Sequence, residues 1–233
     1  MKFETTLQSI IQRTSNVTSF RFPRPADLEY KPGQFFFVTL RHGNKELRKH
    51  FSFSSSPTER DHIEFTKKLS DSEYSTTLRA AKAEDWANID GPYGQFTFEG
   101  EYPKIALLGG GIGITPFMSI AKYATDKGLS NKITLFYGCH TPNDIVFREE
   151  FWELTKQNNT LKVYFTVNEA THNWTDATGR IDAGVIRREL PDYKDYIFYA
   201  CGPPPMVKAM QSLVESLGLS KEKLKIEYFP GYT

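Results

Sequence analysis

The stretch KIALLGGGIGITPF, residues 104–117, decides the fold of this chain. Its first five residues form the short apolar run that is typical of a buried strand, and glycines follow at positions 109, 110, 111 and 113. Thr115 is a natural N-cap and Pro116 a natural first residue for a helix that runs to about Lys127, where Gly128 can end it. A strand, a glycine turn and a helix predict a place where backbone N–H groups meet an anion such as a pyrophosphate.

The glycine turn matches neither of two well-known phosphate motifs. The dinucleotide pattern G-x-G-x-x-G would need glycine at Ile114 or Pro116, and a P-loop would need Gly-Lys-Ser/Thr where Ile114-Thr115-Pro116 stands. The alternative is a tight turn that merely needs small residues. Four glycines in five positions exceed that need, so a phosphate site is the favoured interpretation.

The rest of the chain divides into two patterns. Before Gly100, β-branched and aromatic runs predict short strands at residues 3–12, 17–22, 34–40, 50–54, 63–68 and 86–90, with one helix at about 75–83 and a turn at 91–94. After it, strands at 104–108, 132–137, 161–166, 196–200 and 224–228 alternate with helices near 116–127, 147–157, 183–189 and 204–217. We therefore expect an N-terminal antiparallel β-barrel over residues 1–99, followed by an α/β parallel-sheet domain over residues 100–233.

The composition excludes several classes of function. Lys plus Arg number 29 and Asp plus Glu number 28, so no overall field favours nucleic acid or an acidic membrane. Two cysteines cannot supply a four-thiolate metal site, and no metal site is predicted. No apolar run approaches the thickness of a bilayer, so we expect a cytoplasmic protein with no membrane insertion.

Four stretches stand in a specific order: LRKHFSFSSSP (47–57), GPYGQF (91–96), GGGIGITPF (109–117) and CGPPPM (201–206). Together they resemble the ferredoxin–NADP reductase superfamily, in which a flavin-binding barrel precedes a nicotinamide-binding α/β domain. The resemblance covers nearly the whole chain. It implies a flavoprotein oxidoreductase that uses FAD and NAD(P)H.

The resemblance also implies how a flavin would be held. The family's Arg-x-Tyr-Ser segment corresponds here to Lys49, His50, Phe51 and Ser52. Phe51 can pack on the ring system but has no hydroxyl to donate, and Lys49 meets a phosphate only as a point charge, unless Arg48 takes that role. Ser52 is expected to bond flavin N5 or O4. The implied flavin contacts are Arg48, Lys49, Phe51, Ser52, Phe53, Ser54, Thr66, Lys67, Ser75 and Thr76.

Two of these implied contacts have alternatives. Ser75 opens a predicted helix and could simply be its N-cap. Several relatives stack a terminal aromatic residue on the flavin, and the resemblance implies that Phe229 or Tyr232 does so here. The tail could equally pack against the sheet.

For the nicotinamide nucleotide, the resemblance implies Gly110, Gly111, Gly113, Thr115, Glu169, Cys201, Gly202, Pro203 and Met206. Cys201 is expected beside nicotinamide C4, where it packs and orients, and Ser52 and Cys201 are the predicted catalytic residues. Glu169 would repel a 2′-phosphate, and His140 stands where the family frequently has arginine. Both favour NADH, although Arg180 and Lys162 leave NADPH possible.

The function predicted on this basis is hydride transfer from NADH to bound FAD, with electrons passed on to a separate acceptor such as ferredoxin, flavodoxin or an oxygenase component. A small-molecule acceptor is an alternative. A second hypothesis is a reductase that uses free flavin as its substrate, which Phe51 and the absence of a glycine just before Ser75 favour. A third is an electron-transfer subunit of a larger complex.

Overall fold

Two antiparallel sheets make up the first part of the chain in a computed structural model that describes residues 1–229. The strands are β1 (Lys2–Thr6), β2 (Ser9–Gln12), β3 (Val17–Pro23), β4 (Phe35–His42), β5 (Lys45–Ser52), β6 (His62–Lys68) and β7 (Trp86–Tyr93), and helix α1 is Glu73–Ala80. Their orders are β1-β7-β4-β5 and β2-β3-β6. Fully buried phenylalanines, among them Phe20, Phe36 and Phe65, fill the space between the sheets. The predicted antiparallel barrel is confirmed.

A six-stranded parallel sheet follows, in the order β11-β10-β9-β8-β12-β13. Its strands are β8 (Lys104–Gly110), β9 (Lys132–Cys139), β10 (Leu161–Val167), β11 (Ala177–Thr178), β12 (Ile197–Gly202) and β13 (Leu224–Tyr228). The helices are α2 (Thr115–Asp126), α3 (Arg148–Gln157), α4 (Ala183–Glu189) and α5 (Pro204–Ser216). Separate apolar clusters lie on the two faces of the sheet. The predicted α/β architecture is confirmed, and the strand order reverses beside β8, where such sheets bind ligands at their carboxyl ends.

Several local predictions were wrong. Strand β8 continues through Gly109 and Gly110, and a 3₁₀ turn over Gly111–Ile114 precedes α2. Thr115 is therefore inside the helix, where its Oγ1 donates to the Ile112 carbonyl (3.3 Å) instead of capping. The single strand predicted for residues 3–12 is instead two strands, because extended pairing is interrupted between Thr6 and Ser9.

Two further corrections concern caps and turns. Ser72 is the N-cap of α1 and accepts from the backbone N–H of Ser75 (3.3 Å), so Ser75 is a helical residue and not the cap. Residues Gly91 to Tyr93 close strand β7 and do not form the predicted turn. Gly128, by contrast, has the positive φ of +62° expected of a residue that ends a helix.

Direct contacts join the barrel to the parallel-sheet half. Ser119 Oγ donates to the Ser55 carbonyl (2.7 Å) and the Tyr199 hydroxyl donates to the Thr97 carbonyl (3.0 Å). Val17, on barrel strand β3, packs in the apolar cluster of the second half. Strand β6 also lies against the 3₁₀ turn that follows β8. Within residues 1–229, no helix has the length and apolarity needed to cross a membrane.

Candidate functional site

A cavity of about 590 Å³ lies between β5, β6, the start of α1 and the glycine turn. Eight of the predicted flavin or nucleotide residues line it: Arg48, Lys49, Phe51, Ser52, Thr66, Lys67, Thr115 and Phe229. It is also lined by Phe37, His50, Ser70, Ser72, Tyr74 and Ile112, which sequence reasoning did not single out. We call this space the barrel cavity.

Ser52 has the most informative side chain in the barrel cavity. Ser52 is only 4% exposed, and its hydroxyl makes no hydrogen bond of standard geometry to any described residue, although it lies near enough to the Glu227 carboxyl to lower the pKa of that group. Buried hydroxyls are normally bonded, so this one is available to a ligand. Next to it, the Phe51 ring stacks on Phe65 with centroids 4.3 Å apart and fixes one wall of the cavity.

Cationic side chains dominate one end of the barrel cavity. Lys67 is nearly buried, and burial together with the charges of Lys49 and Arg79 lowers its pKa to about 8. An anion bound at this end would offset the repulsion between the positive charges of Lys67, Lys49 and Arg79. Arg48 is already engaged, because it pairs with Asp90 (2.7 Å) and stacks over the Phe37 ring.

Four predicted flavin residues do not reach the barrel cavity. Phe53 is fully buried in the barrel core, stacked on Tyr30 (3.9 Å) and Phe36 (4.2 Å). Ser54 is buried on the other side, where its hydroxyl bonds the Glu64 carboxylate (2.8 Å).

The remaining two lie on α1. The Ser75 side chain bonds Ser70 and Ser72, and Thr76 is exposed on the helix. None of the four side chains lines the barrel cavity, and their direct contact with a flavin stays a prediction. Tyr232 lies outside the described residues.

A second cavity, of about 610 Å³, opens at the carboxyl ends of β8, β9, β10 and β12, and we call it the sheet cavity. Predicted residues Gly110, Gly111, Pro203 and Met206 line it. Asn16, Val17 and Lys68 of the barrel form its opposite wall. Ile112 lines both cavities, so the two spaces meet at the glycine turn.

Gly113, Cys201 and Gly202 lie behind the sheet cavity and not on its surface. A Cβ at Gly113 would be 2.2 Å from the Cys201 carbonyl oxygen and 2.6 Å from Gly202 Cα. Only glycine permits this approach, which brings the turn after β8 against the end of β12. The Cys201 side chain is fully buried, and burial raises the pKa of its thiol well above the ordinary value.

Glu227 is the site residue that sequence reasoning missed. It lies on β13 directly beside Cys201 in the parallel pairing, and its Oε2 is 3.9 Å from Cys201 Sγ. Burial raises the pKa of this carboxyl to about 7, against the opposing influence of the nearby Cys201 thiol and Ser52 hydroxyl. The signal available in the sequence was a lone carboxylate in the short strand LKIEY, where the alternating pattern places Glu227 two residues after Lys225.

Glu169 lies at the rim of the sheet cavity. Its backbone N–H donates to the His140 carbonyl (2.8 Å), and its carboxylate is 3.4 Å from His140 Nε2. Both side chains are exposed, and His140 and Arg180 line the cavity. The two positions that sequence reasoning connected with cofactor choice are therefore in contact.

The residues present fit two organic cofactors. The barrel cavity offers a buried, unbonded hydroxyl for a polar ring edge and lysines for a phosphate. The sheet cavity offers glycine backbone at the start of α2 for a pyrophosphate. Within the part of the chain that the structure describes, there is no group of His, Cys, Asp and Glu that could hold a metal ion.

Comparisons with known proteins agree with this division. The family model of the oxidoreductase FAD-binding domain matches residues 4–98, and that of the oxidoreductase NAD-binding domain matches residues 107–212. The reductase component of propane 2-monooxygenase from Rhodococcus jostii is 29% identical over 93% of this chain, and the chain spans 60% of that protein. NADH-cytochrome b5 reductase 1 of Aspergillus oryzae is 31% identical, over 89% of this chain and 76% of the relative.

A solved structure shares the whole architecture. The cytochrome b5 reductase domain of Ulva prolifera nitrate reductase superposes with a TM-score of 0.85 at 25% identity, over 98% of this chain and 97% of that one.

Proposed function

Because the chain belongs to the ferredoxin–NADP reductase superfamily of oxidoreductases, with an FAD-binding and an NAD-binding domain, we propose that it passes a hydride from NADH to FAD and electrons on to a separate acceptor. The observation that carries the proposal is the meeting of the two cavities at Ile112, with Ser52, Cys201 and Glu227 grouped beside it. Bound FAD supplies the chemistry that separates a two-electron hydride into single electrons.

Ser52 and Cys201 have different proposed roles. The Ser52 hydroxyl, which makes no hydrogen bond of standard geometry to a described residue, orients the reacting edge of the ring system in the barrel cavity by donating a hydrogen bond. Cys201 lies buried behind the sheet cavity, where its backbone supports the glycine turn against which the nicotinamide nucleotide would pack. Its raised pKa keeps the thiol protonated near neutral pH, so it is not a nucleophile.

Glu227 is the proposed proton carrier. One proton must be released for each hydride whose two electrons go to one-electron acceptors. A carboxyl whose pKa is about 7 can accept that proton and return it to solvent at neutral pH. The nearby Ser52 hydroxyl connects the carboxyl to the barrel cavity.

The acceptor is proposed by class. One curated relative is the reductase component of a monooxygenase and another is a cytochrome b5 reductase. Both names support a separate electron acceptor, and we propose an oxygenase component, a ferredoxin or a flavodoxin. NADH is the proposed donor, because the carboxylate of Glu169 at the cavity rim would repel a 2′-phosphate.

The second candidate function is reduction of free flavin, and two observations favour it. Phe51 is packed on Phe65 and has no hydroxyl to hold a ribityl chain. Arg48 is paired with Asp90, so it does not offer a free cation to a phosphate.

The experiment is a visible spectrum of the purified protein, followed by anaerobic titration with NADH and NADPH. A yellow protein with one FAD per chain that NADH bleaches supports the proposal. A colourless protein that reduces added flavin with saturation kinetics supports the second candidate. If bound FAD is present and neither nucleotide reduces it, the proposed function is wrong.

A further inference from the structure

Arg13 connects the barrel to the first turn of α3. It lies just after β2, and its Nε donates to Ser19 Oγ (2.8 Å) within the barrel. Nη2 pairs with the Glu64 carboxylate (3.2 Å), also in the barrel. Nη1 reaches across to Glu150 Oε1 on α3 (2.5 Å). The guanidinium is thus anchored on one side and extended to the other half of the molecule.

The barrel side of this contact is rigid. Glu64 is 3% exposed and also accepts from Arg21 Nε (2.8 Å) and Ser54 Oγ (2.8 Å). Thr66 Oγ1 donates to the same carboxylate (3.4 Å), and a buried carboxylate with four donors holds its partner in one geometry. The planar fork of Arg13 then transmits that geometry to Glu150, which a single ammonium cannot do equally well.

The α3 side of the contact carries backbone strain. The Arg13 guanidinium lies 4.8 Å from the centroid of the Phe147 ring. Phe147 is buried and has a φ of +62°, a left-handed conformation that is rare for an aromatic residue. Such a conformation persists only where its surroundings hold it. Arg13, stacked on the ring and bonded to the helix that begins at the next residue, is part of that surrounding.

Both ends of this contact lead to the sheet cavity. On the far side, Asp144 and Val146, just before Phe147, line the cavity. On the near side, Asn16 and Val17 line it, and the backbone N–H groups of Arg13 and Thr14 both donate to the Val17 carbonyl. The turn that carries Arg13 is therefore also a wall of the nucleotide site.

We propose that Arg13 is a positioning residue for hydride transfer: by fixing its own turn against the first turn of α3, it sets the width of the sheet cavity in which the nicotinamide nucleotide meets the barrel. This inference rests on the proposed function. Hydride transfer needs reacting atoms about 3–3.5 Å apart, and a misplacement of about 1 Å costs on the order of 100-fold in rate. Arg13 does not itself line the barrel cavity, but its barrel partners Ser19 and Glu64 both bond Thr66, which does, so the FAD content of each variant is measured as well.

The test measures reduction of bound FAD by saturating NADH in a stopped-flow instrument, with the holoprotein. Arg13→Ala should slow the reduction of FAD at least tenfold. Arg13→Lys keeps the charge but lacks the planar guanidinium, so its rate of reduction should lie between that of Arg13→Ala and that of the wild type. Glu150→Gln should reproduce most of the loss, and the double variant should lose no more than Arg13→Ala alone. NADH deuterated at the transferred position should show a larger isotope effect on turnover in the variants, because hydride transfer becomes rate-limiting.

Arg60→Ala is the matched control, because it removes an equal charge from a pair with Glu29 that stays within the barrel (2.8 Å). It should reduce FAD at the wild-type rate. The inference is overturned if Glu150→Gln and Arg13→Lys, both conservative changes, reduce FAD within twofold of wild type. It is also overturned if the losses follow only from released FAD. Wild-type protein that NADH fails to reduce would instead overturn the proposed function.

Discussion

Glu227 Oε2 lies 3.9 Å from Cys201 Sγ, because the two residues are direct neighbours in the parallel pairing of β13 with β12. The pairing brings an acid from the last strand to the motif that ends the neighbouring strand. Burial and the neighbouring carboxylate raise the pKa of the thiol, whereas burial raises the pKa of the carboxyl to about 7 although the thiol lowers it. The acid is thus poised to exchange a proton at neutral pH.

Replacing Glu227 with glutamine should remove a pH dependence. In the wild type, turnover with NADH and the one-electron acceptor ferricyanide should rise with pH through about 7, as the carboxyl ionises and becomes able to accept a proton. Turnover of Glu227→Gln should be slower than that of the wild type by roughly 100-fold, and it should not vary between pH 6 and 8. Glu222→Gln, an exposed position just before β13, is the control and should keep the wild-type profile. A break near pH 7 that survives in Glu227→Gln would assign the titration to another group.

Two serines two residues apart should respond in opposite ways. Ser52→Ala removes a hydroxyl without a described partner, so we expect the free energy of unfolding to change by less than about 0.5 kcal/mol. Reduction of bound FAD should slow about tenfold, because the free energy of roughly one hydrogen bond is lost. The affinity for NADH should be nearly unchanged. Ser54→Ala breaks bonds to Glu64 and Thr66, and should cost about 1–3 kcal/mol of stability at a wild-type reduction rate. A large loss of NADH affinity in Ser52→Ala would mean that Ser52 contacts the nucleotide and not the flavin, which would contradict its assignment to the barrel cavity.

The sequence was most informative where local chemistry determines the structure. Helix α4 and strand β13 have the predicted bounds, residues 183–189 and 224–228, and the two architectures follow from the two patterns of strands and helices. The glycine run was harder to interpret. Gly109 and Gly110 remain in a strand because they pair with Tyr137 and Gly138 of β9, and such long-range pairing leaves no trace in the local sequence.

The site shows the same limit. Ser52 and the glycine turn were singled out from motifs, whereas the roles proposed for Glu227 and Arg13 depend on neighbours that are distant in the chain. The four serines within residues 52–56 cannot be told apart in the sequence, and only the packing shows that the Ser54 side chain turns to Glu64. Tertiary contacts between separate strands decide which polar side chain faces a ligand.

Lys67 should give the affinity for FAD a dependence on pH. Its pKa is lowered to about 8 by burial and by Lys49 and Arg79, and a bound phosphate stabilises the protonated amine. FAD affinity should therefore be constant below pH 8 and fall above it, by up to about tenfold per pH unit. Lys67→Arg stays protonated and should show no fall up to pH 9.5.

Titration of the apoprotein with FAD, followed by flavin fluorescence, measures this effect. Lys68→Arg is the matched control, because Lys68 lines the sheet cavity and should leave the wild-type pH dependence unchanged. If FAD affinity still falls above pH 8 in Lys67→Arg, Lys67 is not the group that binds the phosphate.

Glu169→Arg should relax the discrimination against NADPH. The substitution replaces a charge that repels a 2′-phosphate with one that attracts it, beside His140 and Arg180 at the cavity rim. We expect the ratio of kcat/KM for NADH to that for NADPH to fall at least tenfold, about 1.4 kcal/mol. Glu153→Arg, on the exposed face of α3, is the control and should not alter the ratio. An unchanged preference in Glu169→Arg would exclude this residue from the ribose site.

Gly113→Ala should cost more stability than the substitution of a glycine in an open turn, because the close approach of the glycine turn to β12 leaves no space for a Cβ. The added carbon would lie 2.2 Å from the Cys201 carbonyl oxygen, a backbone atom that cannot move without displacing the end of β12. We expect a loss of about 3 kcal/mol in the free energy of unfolding, measured by urea denaturation. Gly43→Ala, in the open turn between β4 and β5, has a positive φ of +57° but free space, and should cost about 1 kcal/mol. Equal losses at the two positions would mean that backbone conformation, and not the contact with Cys201, explains the glycine at 113.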